Sequence, residues 1–304
     1  MCSTCGCGEG DVEMYDSAHH HHESEHEHEH EHDHHHEAHA HHHHDDSQKA
    51  SYIEVHHHYY HHGDVHHHIH YHVDAPSTET SQPNVTGVKR TINIEQQVLA
   101  KNNLQAAHNR EHFASHQLLA LNFVSSPGSG KTSLLVETLK RLLPEHSCYV
   151  IEGDQQTQND AHRIETTGAP ALQINTGKGC HLDAQMIHDA LHRLEPTDGS
   201  YVFIENVGNL VCPADFDLGE KHKVALLSVT EGEDKPLKYP HMFAASSLLL
   251  INKTDLLEHV NFNLRQCMEY AHQVNPELTI IPISATTGEG IDEWMSWLEA
   301  QQCA

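Results

Sequence analysis

Eight consecutive residues, Ser125-Ser126-Pro127-Gly128-Ser129-Gly130-Lys131-Thr132, carry the most specific chemistry in the chain. They follow an apolar run, LNFVSS (121–126), and lead into the helical pattern TSLLVETLKRLL. Glycines at such a strand-to-helix turn let backbone N–H groups face a polyphosphate, and the helix dipole favours the anion. Lys131 is spaced to reach the outer phosphates, and the Thr132 hydroxyl to ligate Mg²⁺. Gly128, Ser129, Gly130, Lys131, Thr132 and Ser133 are therefore the expected phosphate-binding residues, with Ser125 standing where the general G-x-x-x-x-G-K-T pattern has Gly. A Gly-rich turn that merely caps a helix is the plainer reading, and the strand–loop–helix context argues against it.

A second run, Asn252-Lys253-Thr254-Asp255, ends the apolar stretch SSLLLIN. A buried Asp255 carboxylate would accept from guanine N1 and its exocyclic amine, donors that adenine lacks, so ATP would leave the carboxylate unpaired. Lys253 is expected along the purine face, and Ser284-Ala285, after the next strand, offers a backbone N–H to the guanine oxygen. On its own such a run is a common surface turn; behind a phosphate loop it selects GTP. Phosphoryl transfer also needs a carboxylate near Mg²⁺ and a means of placing water. The acidic strand ends Glu152-Gly153-Asp154 and Glu205-Asn206-Val207-Gly208 supply them. Asp154 and Glu205 are expected at Mg²⁺ and, with Lys131, in catalysis, and the Gly208 amide at the γ-phosphate. Asp154 opens the polar loop GDQQTQND, which reads as a switch; a helix N-cap is the other role open to it.

Metal-ligating side chains form three groups. Cys2, Cys5 and Cys7 sit in C-x-x-C-G-C, and soft thiolates favour Ni, Zn or Cu(I) over Mg or Ca. Between His19 and His72 lie 26 of the 38 His, interleaved with Glu and Asp as in HEHEHEHEHDHHH. Neutral imidazoles there suit multiple, interchangeable divalent ions. Further on, Cys180 and His181 precede a helix and Cys212 follows Glu205 in ENVGNLVCP. These three make an incomplete ligand set that a second chain would complete; small buried thiols beside a helix-entry His fit the same residues. His108, His112 and His116 recur every four residues, but with no acid or Cys joining them a solvated helix face is the expected role.

Composition separates tail from domain. Residues 1 to 85 hold 17 acidic side chains against Lys49 alone, within a total net charge of -27. Their few apolar residues cannot offset the entropy of ordering, so a disordered His-rich tail is expected over 11–85 behind a Cys-rich motif at 1–10. The acidic balance speaks against nucleic acid. With no long apolar run and no secretory leader, the chain is expected to be cytoplasmic and free of membrane. Residues 86–120 read as a leading helical segment, with Val98, Leu99, Leu104, Ala107, Phe113, Leu118 and Leu119 at helical spacing as far as Leu121. Over 121–304, strands are expected at 121–126, 148–152, 171–175, 201–205, 223–229, 246–252 and 278–284. Helices are expected near 157–166, 182–194, 257–274 and 289–300. Near-continuous Val/Ile/Leu strands alternating with helices indicate an α/β fold: a mostly parallel sheet with helices on both faces.

Together SSPGSGKT, EGDQQTQND, GKGCHLDA, ENVGNLVCP, NKTD and MCSTCGC resemble the HypB family of hydrogenase nickel-incorporation GTPases, over about 90 to 304 and again at the N-terminus. The resemblance implies a SIMIBI-type P-loop NTPase fold and a GTP-dependent homodimer with slow, Mg²⁺-dependent GTP hydrolysis. It also implies delivery of Ni²⁺, with Zn²⁺ possible, to the [NiFe]-hydrogenase large-subunit precursor together with a HypA-type metallochaperone. It further implies that Cys180, His181 and Cys212 form an internal metal site and Cys2, Cys5 and Cys7 a tighter N-terminal one. A urease-type nickel accessory GTPase is the nearest alternative, but it would carry a C-P-H motif where Cys212-Pro213 is followed by Ala214. A metal-storage protein with a regulatory GTPase domain is the other.

Overall fold

The central strand, β4 (Leu119–Ser125), is buried at all seven positions, because a parallel strand covered on both faces has no polar side to present. A computed structural model describes residues 13–16, 55–56, 68–69, 86–154, 159–177 and 179–302. Cys2, Cys5 and Cys7, and all of the His tract but His56 and His68, lie outside the described residues. So do residues 155–158 of the expected switch, and Lys178. The chain divides into two units. One, residues 22–87, contains β2 (Val55–His56) and β3 (His68–Ile69), paired antiparallel. The other carries the rest.

In that second unit β1 (Glu13–Asp16) is followed by α1 (Thr86–Ser115), β4, α2 (Lys131–Leu142), β5 (Cys148–Asp154) and α3 (Asn159–Glu165). Next come β6 (Ala171–Asn175), α4 (Ala184–Leu194), β7 (Tyr201–Glu205), the short α5 (Cys212–Asp215) and β8 (His222–Ser228). The chain closes with α6 (Lys235–Lys238), α7 (Pro240–Ala245), β9 (Leu248–Asn252), α8 (Leu264–Val274), β10 (Thr279–Pro282) and α9 (Ile291–Gln302). The sheet order is β1-β6-β5-β7-β4-β8-β9-β10. Strands β4 to β10 are mutually parallel, and β1 adds an antiparallel edge through Glu13↔Asn175. The seven expected strands match within two residues; β1 lies in the stretch read as lacking order.

Period-two alternation splits the core. Leu119, Leu121 and Phe123 join Leu135 and Leu139 of α2 and Trp294 of α9 on one face. Ala120 joins Phe113 of α1 and Ile187 and Leu191 of α4 on the other. The Trp294 indole donates to Thr138 Oγ1 at 2.9 Å, so its buried N–H is partnered. Truncating a side chain such as Leu139 to Ala costs about 2–5 kcal/mol, because the packed surroundings refill the space only in part.

Two helix boundaries differ from the sequence reading. Leu118 and Leu119 are outside the leading helix, which stops at Ser115. Leu118 N donates to Phe113 O at 2.8 Å and Gln117 N to Ala114 O at 3.2 Å, with Gln117 at φ 53, a left-handed helix stop built without the usual Gly. The stretch 257–274 is two elements: a 3-10 turn at Thr254–His259, and α8, whose first N–H groups are capped by Asn263 through Gln266 N at 3.0 Å.

Candidate nucleotide and metal site

Because β4 lies between β7 and β8, the loop after it opens at the carboxyl edge of the sheet, where such folds bind ligands. Gly128 and Gly130 take φ 74 and φ 97, and a Cβ at Gly130 would fall 2.5 Å from Asn252 Nδ2. Ser125 is fully buried, and its hydroxyl has a structural use that Gly could not supply. It donates to Ser126 O at 2.7 Å and accepts from Ser129 Oγ at 2.6 Å and Lys131 Nζ at 2.9 Å. The Asn252–Asp255 run is tied to this loop. Asn252 Nδ2 donates to Ser129 O at 2.9 Å while its Oδ1 accepts from Ala285 N at 3.2 Å. Lys253, itself at φ 65, donates to Gly128 O at 2.7 Å, so its ammonium rests on the phosphate loop. Asp255 is half-buried, and Oδ1 accepts from Ser284 Oγ at 2.5 Å.

A cleft of about 500 Å³ runs from Pro127 to Gly208 and is lined by Lys131, Thr132, Asp154 and Glu205 among others. Thr132 Oγ1 donates to Glu205 Oε1 at 2.7 Å. In the parallel register Glu152 stands beside Glu205, both carboxyls are buried, and the Oε2 of each has no hydrogen-bond partner among the described residues. Burial, then Glu205, Asp154 and Asp160, push the Glu152 carboxyl up to about 9; burial likewise raises Glu205, against Lys131 and Thr132. Two desolvated, under-partnered carboxyls beside Thr132 are what a hard cation with its waters would satisfy. Glu152 was not assigned from sequence, since E-G-D gives no sign which acid turns inward. Asp154 ends β5 and lines the cleft, and α3 begins only at Asn159. Arg163 and Asp160 of α3 also line it, Arg163 donating to Ser133 Oγ at 2.9 Å. Gly208 packs on the phosphate loop: a Cβ there would lie 3.0 Å from Pro127 Cα.

Cys180, His181 and Cys212 converge so that one ligand atom from each lies within 4.8 Å of the others. The thiols are 2.8 Å apart, and Cys180 Sγ is 3.6 Å from His181 Nδ1. Burial lowers the His181 pKa, with Asp183 opposing, and its ring packs on Phe216 with centroids 3.8 Å apart. The supports are polar. Thr176 Oγ1 donates to Gly179 O at 2.9 Å, while Thr176 N donates to Asp154 O at 2.9 Å. Asn206 Oδ1 accepts from Leu182 N at 3.1 Å, and Asn209 Nδ2 donates to Cys180 O at 3.3 Å. On the Cys212 side, the buried Lys223 ammonium donates to Pro213 O, Ala214 O and Phe216 O at 2.8, 3.1 and 3.2 Å, with Glu220 at 3.9 Å. Residues 205–212 thus touch the phosphate loop at one end and the Cys turn at the other.

A phosphate loop at the head of β4, joined to an Asn-Lys-x-Asp run on a parallel sheet, defines a P-loop GTPase. Residues 119–282 match the family model described as the CobW/HypB/UreG nucleotide-binding domain. The chain is 53% identical to the hydrogenase maturation factor HypB of Escherichia coli (strain K12) over 304 residues, all of both chains. The crystal structure of HypB from Helicobacter pylori in complex with nickel is 41% identical, with TM-score 0.62, over 66% of this chain and 95% of that one. HypB from Archaeoglobus fulgidus is 39% identical, with TM-score 0.63, over 67% and 99%. The chain belongs to the HypB family of hydrogenase maturation factors.

Proposed function

We propose that this GTPase is a nickel metallochaperone that couples GTP binding and hydrolysis to insertion of Ni²⁺ into a [NiFe]-hydrogenase large-subunit precursor. The observation that carries the coupling is the segment 205–212, which holds Glu205 against Thr132, packs Gly208 on Pro127 and ties Asn209 to Cys180. In this reading Gly128, Ser129, Gly130, Lys131, Thr132 and Ser133 hold the phosphates. Asn252, Lys253, Asp255, Ser284 and Ala285 hold the guanine, and Gly208 meets the γ-phosphate.

Lys131 exchanges its bond to Ser125 for the phosphates and stabilises the charge that spreads over them during transfer. Thr132, Asp154 and Glu205 are assigned to Mg²⁺, which when bound neutralises phosphate charge. Glu152 stands beside Glu205, where burial and the neighbouring carboxylates hold its carboxyl well above the usual range. When Glu205 and Gly208 shift toward the nucleotide, Asn206 and Asn209 pull on the Cys180 turn and Cys212 moves with the same segment. By linkage, nickel at Cys180, His181 and Cys212 must then alter nucleotide affinity in return.

Three ligands from one chain leave a fourth position open, which supports a GTP-dependent homodimer sharing the ion. Cys2, Cys5 and Cys7 are assigned as a second nickel site and the His tract as a reservoir, Zn²⁺ competing at each. The HypA-type chaperone and the hydrogenase precursor are the partners, and the cytoplasm is where they meet; among the described residues no helix is long and apolar enough to cross a membrane.

The test is rescue of hydrogenase maturation in cells lacking their own factor. The wild-type chain should restore activity, whereas Lys131→Ala and Cys212→Ala should not. Full rescue by Lys131→Ala would instead favour a metal store whose nucleotide site is idle.

A further inference from the structure

The buried stripe of α1 is only half apolar. It runs Asn102, Ala106, Asn109 and Phe113, a single helical face on which two of the four side chains are asparagines. A buried amide costs stability unless its polar atoms are partnered, so two in one seat must be matched to particular neighbours. Both are matched, and to the same two places. Asn102 Oδ1 accepts from Ala184 N at 2.9 Å while its Nδ2 donates to Asp217 O at 2.8 Å. Asn109 Nδ2 donates to Ala184 O at 2.8 Å and to Leu218 O at 2.9 Å, and its Oδ1 accepts from Gln105 Nε2 at 3.4 Å.

Ala184 opens α4 three residues after His181, and its N–H is one of the first-turn donors that a helix cannot partner by itself. Asp217 and Leu218 follow Phe216, whose ring packs on His181, and α5, which begins at Cys212, ends just before Phe216. Each asparagine therefore bridges the segment that carries Cys180 and His181 to the segment that carries Cys212. The approach is close: a Cβ on Gly219 would fall 2.7 Å from Ala106 O. A second buried path joins the same segments by another route. Leu218 N donates to Glu220 Oε2 at 2.7 Å, and Asn122 Nδ2 to Glu220 Oε1 at 3.0 Å. Asn206 Nδ2 donates to Asn122 Oδ1 at 3.2 Å, and Leu182 N to Asn206 Oδ1 at 3.1 Å. The two segments are thus held in a closed ring of buried polar groups, with α1 forming one side.

We propose that Asn102 and Asn109 are positioning residues of the internal metal site, clamping the Cys180–His181 turn and the Cys212 segment at the separation that an ion requires. The inference rests on the reading of Cys180, His181 and Cys212 as that site. Neither asparagine is a ligand; both act through Ala184, Asp217 and Leu218. Cutting the clamp leaves the path through Asn206, Asn122 and Glu220 in place, so the chain keeps its fold and the ligands lose their fixed spacing. Ni²⁺ and Zn²⁺ then respond differently. Zn²⁺ has no d-electron preference for geometry and tolerates displaced ligands, whereas Ni²⁺ favours a square-planar or tetragonal set.

The experiment is alkylation of Cys180 and Cys212 in the full chain, read by peptide mass spectrometry while Ni²⁺, and separately Zn²⁺, is titrated. Asn102→Ala and Asn109→Ala should each raise the nickel concentration for half-protection by roughly tenfold, and the zinc concentration by about threefold or less. Protection of Cys2, Cys5 and Cys7 in the same digests, metal-free GTP hydrolysis and far-UV circular dichroism should stay as in the wild type. Arg110→Ala, which removes only the exposed ion pair to Asp217, should leave both midpoints within about twofold. If Asn109→Ala does not fold, Asn102→Ala, at the rim of the seat, carries the same comparison. Unchanged midpoints in the asparagine variants overturn the clamp and leave the metal reading standing. Equal shifts for nickel and zinc, or an equal shift in Arg110→Ala, overturn it as well, since general loosening would produce them. Thiols that no metal protects in the wild-type chain would overturn the metal reading and the clamp with it.

Discussion

The phosphate loop after β4 and the Cys turn after β6 sit at the same edge of one sheet, yet they are built in opposite ways. The first is a contiguous run whose own Ser125, Ser129 and Lys131 hydrogen-bond one another, so its shape is largely local. The second joins residues 32 apart in sequence, Cys180 and Cys212. It depends on Thr176, Asn206, Asn209 and Lys223, none of which is among the three candidate ligands. A local motif carries its geometry wherever the strand–loop–helix context recurs; a composite site exists only while its supports hold. The difference implies that damage to the first shows in chemistry and damage to the second shows in placement.

Lys131→Ala should give the largest effect. Loss of the phosphate-facing ammonium is expected to lower kcat for GTP hydrolysis by on the order of 100-fold or more, with little change in unfolding midpoint. Lys223→Met should do the reverse. It strips three buried carbonyls of their donor and leaves Glu220 buried beside an apolar chain, a cost of about 3 kcal/mol in urea unfolding, with nickel binding at Cys212 weakened. Retained stability together with retained nickel affinity would show that Cys212 is positioned by something other than Lys223.

Glu152 gives a pH test. Its folded pKa of about 9 stands above the ordinary carboxyl value of 4.5, so between those values the folded chain holds a proton that the unfolded chain has released. Stability from this group is complete below pH 4.5 and falls as pH rises toward 9. Glu152→Gln should therefore stabilise the nucleotide-free chain more at pH 8.5 than at pH 5, measured by urea midpoints at each pH. An equal effect at both would mean that Glu152 is ionised in the cleft. Smallest of the four is Asn209→Ala, which removes one 3.3 Å bond to Cys180 O and should weaken nickel binding by several-fold, about 1 kcal/mol, without altering GTP hydrolysis in the absence of metal.

The same contrast governs what could be read from sequence. The seven parallel strands were legible because burial on both faces leaves continuous Val, Ile and Leu, and the phosphate loop because its spacing is fixed by a polyphosphate. The end of α1 was not, since Gln117 takes the left-handed position where Gly is the usual signal. The 3-10 turn before α8 was hidden by apolar residues, Leu256 and Leu257, at helical spacing. Cys180, His181 and Cys212 were visible as ligand types, but their convergence depends on tertiary contacts. Glu152 is hidden for the same reason, because it acquires its neighbour Glu205 only from the adjacent strand.

Coupling between the two regions is the claim on which the functional reading turns. The direct measurement is protection of Cys180 and Cys212 from alkylation by nickel in the full chain, titrated once with a non-hydrolysable GTP analogue and once with GDP. The nickel concentration giving half-protection should differ between the two nucleotides by roughly fivefold or more, as expected for a coupling free energy of 1–3 kcal/mol. Identical half-protection in both would mean that the GTPase and the metal site share a sheet edge without sharing a mechanism.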